Sequence, residues 1–340
     1  MTDPSGPIPI MRHGGDPGAA MRRYGIPSEN WLDLSTGINS TAYPFAFPEE
    51  TDWKKLPQSG AVERLLAAAR TAYDVPSHLA IAAVPGTDAA IRLLPALAGA
   101  PGPVGILGPT YSEHAAAFRA GGFTPAESGD IDAVLAAPVA VVVNPNNPTG
   151  TVVPPDSLLA RWGANRAGGL LIVDEAFADC DPGVSVVPLI GDEPVVVLKS
   201  FGKFFGLAGL RLGFVIGAPE FVRQLAERSG PWAVSGPALA VGAQALADAT
   251  WIADTRRGLR TDCDRFDAIL AAHGLTPSGS VPLFRLVADR GAQALHERLA
   301  QNGIWTRIFD YDAKWLRMGL PRSDEDRNRV AGALESLPAS

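Results

Sequence analysis

Lys203 sits in the segment Lys199-Ser200-Phe201-Gly202-Lys203-Phe204-Phe205-Gly206-Leu207-Ala208-Gly209-Leu210-Arg211-Leu212-Gly213, apolar and glycine-rich, directly after the apolar run 195–198. Burial disfavours the ammonium form, so a lysine in that setting has its amine available for Schiff-base chemistry with a carbonyl. Ser200 before it and Arg211 after it supply a hydroxyl and a planar guanidinium, the groups that hold a phosphate. The bland alternative, a buried structural lysine, is rare in such surroundings. Two other segments carry similar punctuation. Asn144-Pro145-Asn146-Asn147-Pro148-Thr149-Gly150 follows the run 139–143, and Asp174-Glu175-Ala176-Phe177 ends the run 170–173. Alone, Asn-Asn-Pro-Thr-Gly could be just a turn. Ligands of open α/β sheets bind outside the carboxyl ends of strands, where all three segments would converge.

In this order and spacing the three segments resemble the fold-type I pyridoxal-5′-phosphate (PLP) enzymes of the class I and II aminotransferase family, and the resemblance covers nearly the whole chain. It implies an α/β fold like that of aspartate aminotransferase. Lys203 would carry the cofactor and do the catalytic proton work. Asp174 would pair with the pyridinium nitrogen and keep the ring an electron sink. Asn147 would bond the ring's 3′-oxygen, and Ser200 and Arg211 the phosphate. Gly86, Thr87 and Asp88 precede a helical pattern, so their backbone N–H groups would face that phosphate at a helix start. Tyr111 matches the aromatic that stacks on the ring, although by itself it reads as a core residue. There are two departures. Phe177 stands where many relatives have a tyrosine bonded to the 3′-oxygen. Leu56, before Pro57, stands where many have a tyrosine that reaches the neighbouring subunit's cofactor phosphate. Both argue against an aspartate- or tyrosine-type transaminase without threatening cofactor binding.

The N-terminal arm narrows the reading. His13-Gly14-Gly15-Asp16, Arg23-Tyr24-Gly25-Ile26-Pro27 and Trp31-Leu32-Asp33-Leu34-Ser35-Thr36-Gly37-Ile38-Asn39 resemble the threonine-phosphate decarboxylases of cobalamin synthesis, as do Phe177 and the segment Gly230-Pro231-Trp232. The resemblance implies PLP-dependent decarboxylation of L-threonine O-3-phosphate to (R)-1-aminopropan-2-yl phosphate and CO2. It makes His13, Gly37 and Asn39 candidates for binding the substrate. Arg317 alternates with apolar neighbours on an expected strand, where a guanidinium is costly to bury unless an anion meets it. It matches the family arginine that holds the substrate's acid group. Arg307 is a second candidate that a surface salt bridge explains almost as well. If these residues hold the phosphate, the α-carboxylate is free to stand perpendicular to the ring, where its bond breaks. A transaminase would hold the carboxylate in the ring plane instead. Two readings compete: an aminotransferase acting on a phosphorylated substrate such as histidinol phosphate, and a fold that has become a binding or regulatory module.

Placing these residues demands strands that end where the motifs begin. Runs at 104–107, 139–143, 170–173, 195–198 and 210–216 are strand candidates. Patterns at 61–73, 87–98, 111–120 and 156–166 are helix candidates. The alternation predicts a mainly parallel sheet covered by helices, with an antiparallel neighbour where 210–216 follows 195–198 without a full helix between them. A change of pattern after Pro237 predicts a smaller α+β domain: a long helical stretch 238–272, strands at 281–287, 304–308 and 315–318, a helix at 291–301 and a helix start at Ser323. The expected division is an extended arm 1–45, a large cofactor domain 46–235 and a small domain 236–340.

The chain's 340 residues and 46% hydrophobic content support this much core. A net charge of −7 without a basic stripe argues against nucleic acid or an anionic membrane as partner. Two cysteines and no metal-ligand spacing exclude a disulfide framework and give no metal site. The first residues carry neither a basic nor an apolar targeting region, and no apolar run is long enough to span a bilayer, so the cytoplasm is expected. A homodimer is expected from the family resemblance, because such active sites usually lie at a subunit interface.

Overall fold

The computed structural model describes residues 14–164 and 169–335. They form two compact units, one of residues 42–256 and one joining the described part of 1–41 to that of 257–340.

In the 42–256 unit seven strands make one sheet: β1 (Ala80–Val84), β2 (Pro103–Leu107), β3 (Thr124–Ser128), β4 (Val139–Val143), β5 (Leu170–Asp174), β6 (Val195–Ser200) and β7 (Gly213–Gly217). Their order is β1-β7-β6-β5-β4-β2-β3, and β7 runs antiparallel to both of its neighbours. The central strands are continuous apolar runs because helices cover both faces of a parallel sheet. Every residue of β4 is buried. The strand expected at 210–216 begins only at Gly213, because Ala208–Leu210 forms a 3-10 turn and Arg211 takes a left-handed backbone at φ 55°. The expected helix 87–98 is α-helical over Thr87–Leu93 and tightens to a 3-10 turn over Leu94–Leu97, which contains Pro95. The last two residues of the pattern 156–166 lie outside the described residues.

Two strands of this sheet were not expected. β1 is Ala-Ile-Ala-Ala-Val, with little β-branched content. β3 is the polar edge strand Thr-Pro-Ala-Glu-Ser, where a proline is tolerated. At the carboxyl ends of β5 and β6 a buried ion pair braces the strands. Lys199 Nζ lies 2.6 Å from Glu175 Oε2, and Glu175 also accepts the Ser185 hydroxyl and the Val186 N–H, each at 2.6 Å.

In the other unit β8 (Phe284–Ala288) and β9 (Trp315–Gly319) pair antiparallel, flanked by the short strands Pro277–Ser278 and Arg307–Ile308. Ser323 caps the helix Asp324–Glu335, its hydroxyl accepting the Asp326 N–H at 2.9 Å.

This division differs from the expected 1–45, 46–235 and 236–340. The arm is not a separate extended piece: Gly18–Tyr24 is a helix, Leu32–Asp33 pairs in parallel with Ile304–Trp305, and Ala20 is buried against Ala300 and Trp305. The later crossing falls inside the helix Ala249–Ala272 rather than near residue 235. The single helix read over 238–272 is two, broken at Asp248, whose carboxylate accepts the Trp251 N–H of the second.

Candidate active site

β6 delivers the chain to Ser200, and Phe201–Phe204 closes one helical turn carrying Lys203. Phe201, Phe204 and Phe205 are all buried, so they anchor the turn and fix where the lysine stem leaves it. Gly202 allows the segment to double back, since a Cβ there would sit 2.6 Å from the Ala208 Cα. Lys199 points the other way into its ion pair, so Lys203 is the lysine that reaches the cavity.

That cavity, open to solvent, is lined by all ten residues singled out for the cofactor: Gly86, Thr87, Asp88, Tyr111, Asn147, Asp174, Phe177, Ser200, Lys203 and Arg211. Gly86 is a cradle that a side chain would fill: its φ is 85°, and a Cβ there would stand 2.7 Å from Arg211 Nη2. The Asp88 carboxylate is engaged by Arg92 Nε at 3.2 Å. Burial, then the nearby Asp88 charge, pushes the Tyr111 hydroxyl up to about 12, so the ring stands there as a neutral phenol. Next to Asn147, Asn146 stiffens the loop: its side chain accepts the Thr110 hydroxyl at 2.6 Å and donates to the Pro109 carbonyl at 3.0 Å.

One member of the site was missed in the sequence. His114, on the helix Glu113–Ala120, is fully buried and places Nε2 2.8 Å from Asp174 Oδ2, while the Ala176 N–H donates to Asp174 Oδ1 at 3.1 Å. A ring with its hydrogen on Nε2 donates to the carboxylate and turns Asp174 toward the cavity. Its available cue was position, three residues after Tyr111 on the buried side of a helix.

Of the residues singled out for substrate, Gly37, Asn39, Arg307 and Arg317 belong to the other unit. Arg307 and Arg317 are direct cross-strand partners. Arg317 is buried, its Nη2 donates to the Ser35 carbonyl at 2.6 Å, and the Phe284 ring centre lies 5.3 Å from its guanidinium carbon. Burial, then the facing Arg307, pushes the Arg317 guanidinium down to about 10, still charged at neutral pH. Burial also lowers Arg307. Gly37 is buried. Asn39 is buried with its side-chain oxygen accepting Arg322 Nη1 at 2.9 Å and the Thr41 N–H at 3.1 Å, so any donation to an anion must come from its amide nitrogen. His13 lies outside the described residues.

Residues 61–334 match the family described as aminotransferase class I and II. The chain belongs to that family. It is 44% identical to a threonine-phosphate decarboxylase of Sinorhizobium sp, over 97% of this chain and 98% of the relative. It is 43% identical to a threonine-phosphate decarboxylase of Pseudomonas aeruginosa, over 96% and 97%. Among solved structures it is similar to histidinol-phosphate aminotransferase from Sinorhizobium meliloti in complex with pyridoxal-5′-phosphate, with a TM-score of 0.81 at 22% identity, covering 97% of this chain and 94% of the other. That likeness shows the fold, fold-type I with a mainly parallel sheet.

For a member of this family the donor set of the cavity fits PLP. A guanidinium and a hydroxyl (Arg211 and Ser200) join the glycine cradle at Gly86, a carboxylate backed by His114 suits a ring nitrogen, and Lys203 offers an amine. Phe177 is buried and has no hydroxyl to give. Among the described residues no group of His, Cys, Asp and Glu is arranged to hold a metal ion.

Proposed function

We propose that this chain decarboxylates L-threonine O-3-phosphate with PLP, releasing CO2 and (R)-1-aminopropan-2-yl phosphate for cobalamin synthesis. The observation that carries the substrate is the pair Arg307 and Arg317, two cations in direct register on neighbouring strands. Like charges placed so are destabilising, and a phosphate dianion between them turns the repulsion into a charge-assisted, bidentate grip. The near-full-length likeness to two threonine-phosphate decarboxylases supports the same substrate.

PLP, when bound, supplies an electron sink for the pair left at the substrate's α-carbon as CO2 departs. Asp174, held by His114, would set its carboxylate at the ring nitrogen. Ser200, Arg211 and the Gly86–Thr87–Asp88 backbone would hold the cofactor's phosphate, Asn147 its 3′-oxygen, and Tyr111 the face of its ring. Lys203 would anchor the cofactor and return a proton from Nζ to the α-carbon. Arg317 and Arg307, with His13, Gly37 and Asn39, hold the substrate's phosphate, so its carboxylate is not clamped and can take the reacting position.

The test is CO2 release from L-threonine O-3-phosphate set against 2-oxoglutarate-dependent amino transfer from histidinol phosphate. Faster amino transfer would make the chain an aminotransferase.

The chain works as a homodimer in the cytoplasm. Phe47, Trp53, Leu56 and Trp232 are large, apolar and exposed, with Phe47 stacked on Trp53, and a second copy would cover them. No helix among the described residues is long and apolar enough to cross a membrane. Sedimentation at micromolar concentration tests the dimer, and a monomer there would refute it.

A further inference from the structure

One loop in the unit of residues 14–41 and 257–335 ties together parts of the chain that are far apart in sequence. The Ser35 hydroxyl accepts the Gly15 N–H at 2.8 Å and donates to Asp33 Oδ1 at 2.6 Å. The same Asp33 oxygen accepts the Ser35 N–H at 2.8 Å. On its other side Ser35 offers its carbonyl to Arg317 Nη2 at 2.6 Å. Ser35 has no exposed surface, and backbone crowds it from two directions. A Cβ at Gly14 would stand 2.3 Å from the Ser35 carbonyl oxygen, and one at Gly319 would stand 2.5 Å from the Thr36 carbonyl oxygen. The Gly319 N–H also donates to the Leu34 carbonyl at 2.7 Å.

The choice of partner for Arg317 matters chemically. A carboxylate bonded to its fork would neutralise the guanidinium and compete with an incoming anion. A carbonyl holds one nitrogen without cancelling the charge. With Phe284 against one face and Ser35 on one nitrogen, the plane of the guanidinium is fixed despite repulsion from Arg307. Asp33, the nearest charge of opposite sign on this loop, spends one oxygen on the N–H and O–H of Ser35.

We propose that Asp33 and Ser35 are positioning residues that aim the Arg317 guanidinium and anchor the Gly14–Gly15 turn, and thereby set the preference for a phosphorylated substrate over its unphosphorylated counterpart. This rests on the reading that Arg317 and Arg307 hold the substrate's phosphate.

The experiment uses the holoenzyme and the variants Ser35→Ala, Asp33→Ala, Asp33→Asn and Arg317→Ala. For each, kcat/KM is measured on L-threonine O-3-phosphate and on L-threonine, with PLP affinity and amide exchange at Gly15. Ser35→Ala and Asp33→Ala should lower kcat/KM for the phosphorylated substrate about tenfold, mainly through KM, as expected for losing a well-placed hydrogen bond. Threonine turnover and PLP affinity should hardly change, and the Gly15 amide should exchange faster. Asp33→Asn keeps an acceptor oxygen and should recover most of the loss. Equal losses on both substrates, or weakened PLP binding in parallel, would mean general destabilisation and overturn the proposal. If Ser35→Ala and Asp33→Ala leave the preference intact while Arg317→Ala abolishes it, the positioning role falls and the arginine reading stands. If Arg317→Ala leaves it intact, both fall. Should Ser35→Ala not fold, the Asp33→Ala and Asp33→Asn pair decides by the same measurements.

Discussion

In the 42–256 unit the Asp174 carboxylate is met by the His114 ring and the Ala176 N–H, and Asn146 is bonded to Thr110, Pro109 and Thr149. In the other unit Arg317 stands in register opposite a second arginine and leans on a neutral carbonyl. On the proposed function the contrast follows from what each region would hold. A cofactor that stays bound needs walls whose polar groups are already satisfied, because any strain would be present throughout turnover. A substrate that arrives and leaves needs a charge held in place yet not neutralised, so that the anion itself completes the site.

The largest effect should come from breaking the cofactor side at its covalent centre. Lys203→Ala should lose at least roughly 10²–10⁴-fold in turnover, the share of a positioned proton donor alone. Borohydride reduction of the wild type followed by peptide mapping should put the pyridoxyl group on Lys203. Label on Lys199 or another lysine would break the assignment. On the substrate side, Arg317→Ala should cost roughly 2–5 kcal/mol in binding the phosphorylated substrate, the range for removing one partner of a buried charge pair. PLP should remain bound through Ser200 and Arg211. Arg317→Lys should also be poor, because a point charge cannot replace the planar fork. An equal loss on threonine and threonine phosphate would assign Arg317 to the carboxylate, and the aminotransferase reading would gain.

The two regions were not equally legible in the sequence. The cofactor residues sit in short segments marked by Gly and Pro at the ends of apolar runs, so strand ends and motifs could be read together. His114 carries no such mark. Its value depends on the packing that brings it to Asp174, 60 residues away. The Ser35–Arg317 contact spans 282 residues and runs through a backbone carbonyl, which no side-chain pattern announces. The arm looked extended because its glycines and prolines break any long period, yet a seven-residue helix fits between Pro17 and Gly25. The division inside the helix Ala249–Ala272 is invisible for the opposite reason, because the helix runs through it unbroken, Gly258 included.

Acid should separate the regions next. His296 is buried with Nδ1 2.7 Å from the Thr306 hydroxyl, and burial lowers it to about 4 from an ordinary 6.5. Between those values the unfolded chain binds the extra proton, so stability is intact above about 6.5 and declines as pH falls toward about 4. The limit is about 3 kcal/mol. Asp179, in the 42–256 unit, is raised by burial and gives the opposite slope, adding stability as pH falls. Urea midpoints across this window should drop with acid, and His296→Gln should flatten the drop. A slope unchanged by that variant would remove His296 from the account. A smaller effect is expected at His114. His114→Leu should weaken PLP binding by about 1.5–3 kcal/mol, the worth of a hydrogen bond to a charged group, without altering the preference for a phosphorylated substrate. Loss of that preference would show that the two regions are not independent.

The smallest change concerns the one wall of the cofactor cavity that offers no hydrogen bond where many relatives offer one. Phe177 is buried directly after Asp174-Glu175-Ala176 and lines the same cavity as Asn147. A phenol at 177 would donate to the cofactor's 3′-oxygen and favour its ionised form, leaving less need for a proton nearby. Phe177→Tyr should therefore lower the midpoint at which the cofactor's visible band titrates, while kcat/KM for the phosphorylated substrate stays close to that of the wild type. The side chain gains only an oxygen, and Phe177 lines the cavity, so the fold should tolerate it. A midpoint that rises or stays still would mean that residue 177 does not reach the 3′-oxygen. Asn147 would then be the side chain left to set the electronics of that edge.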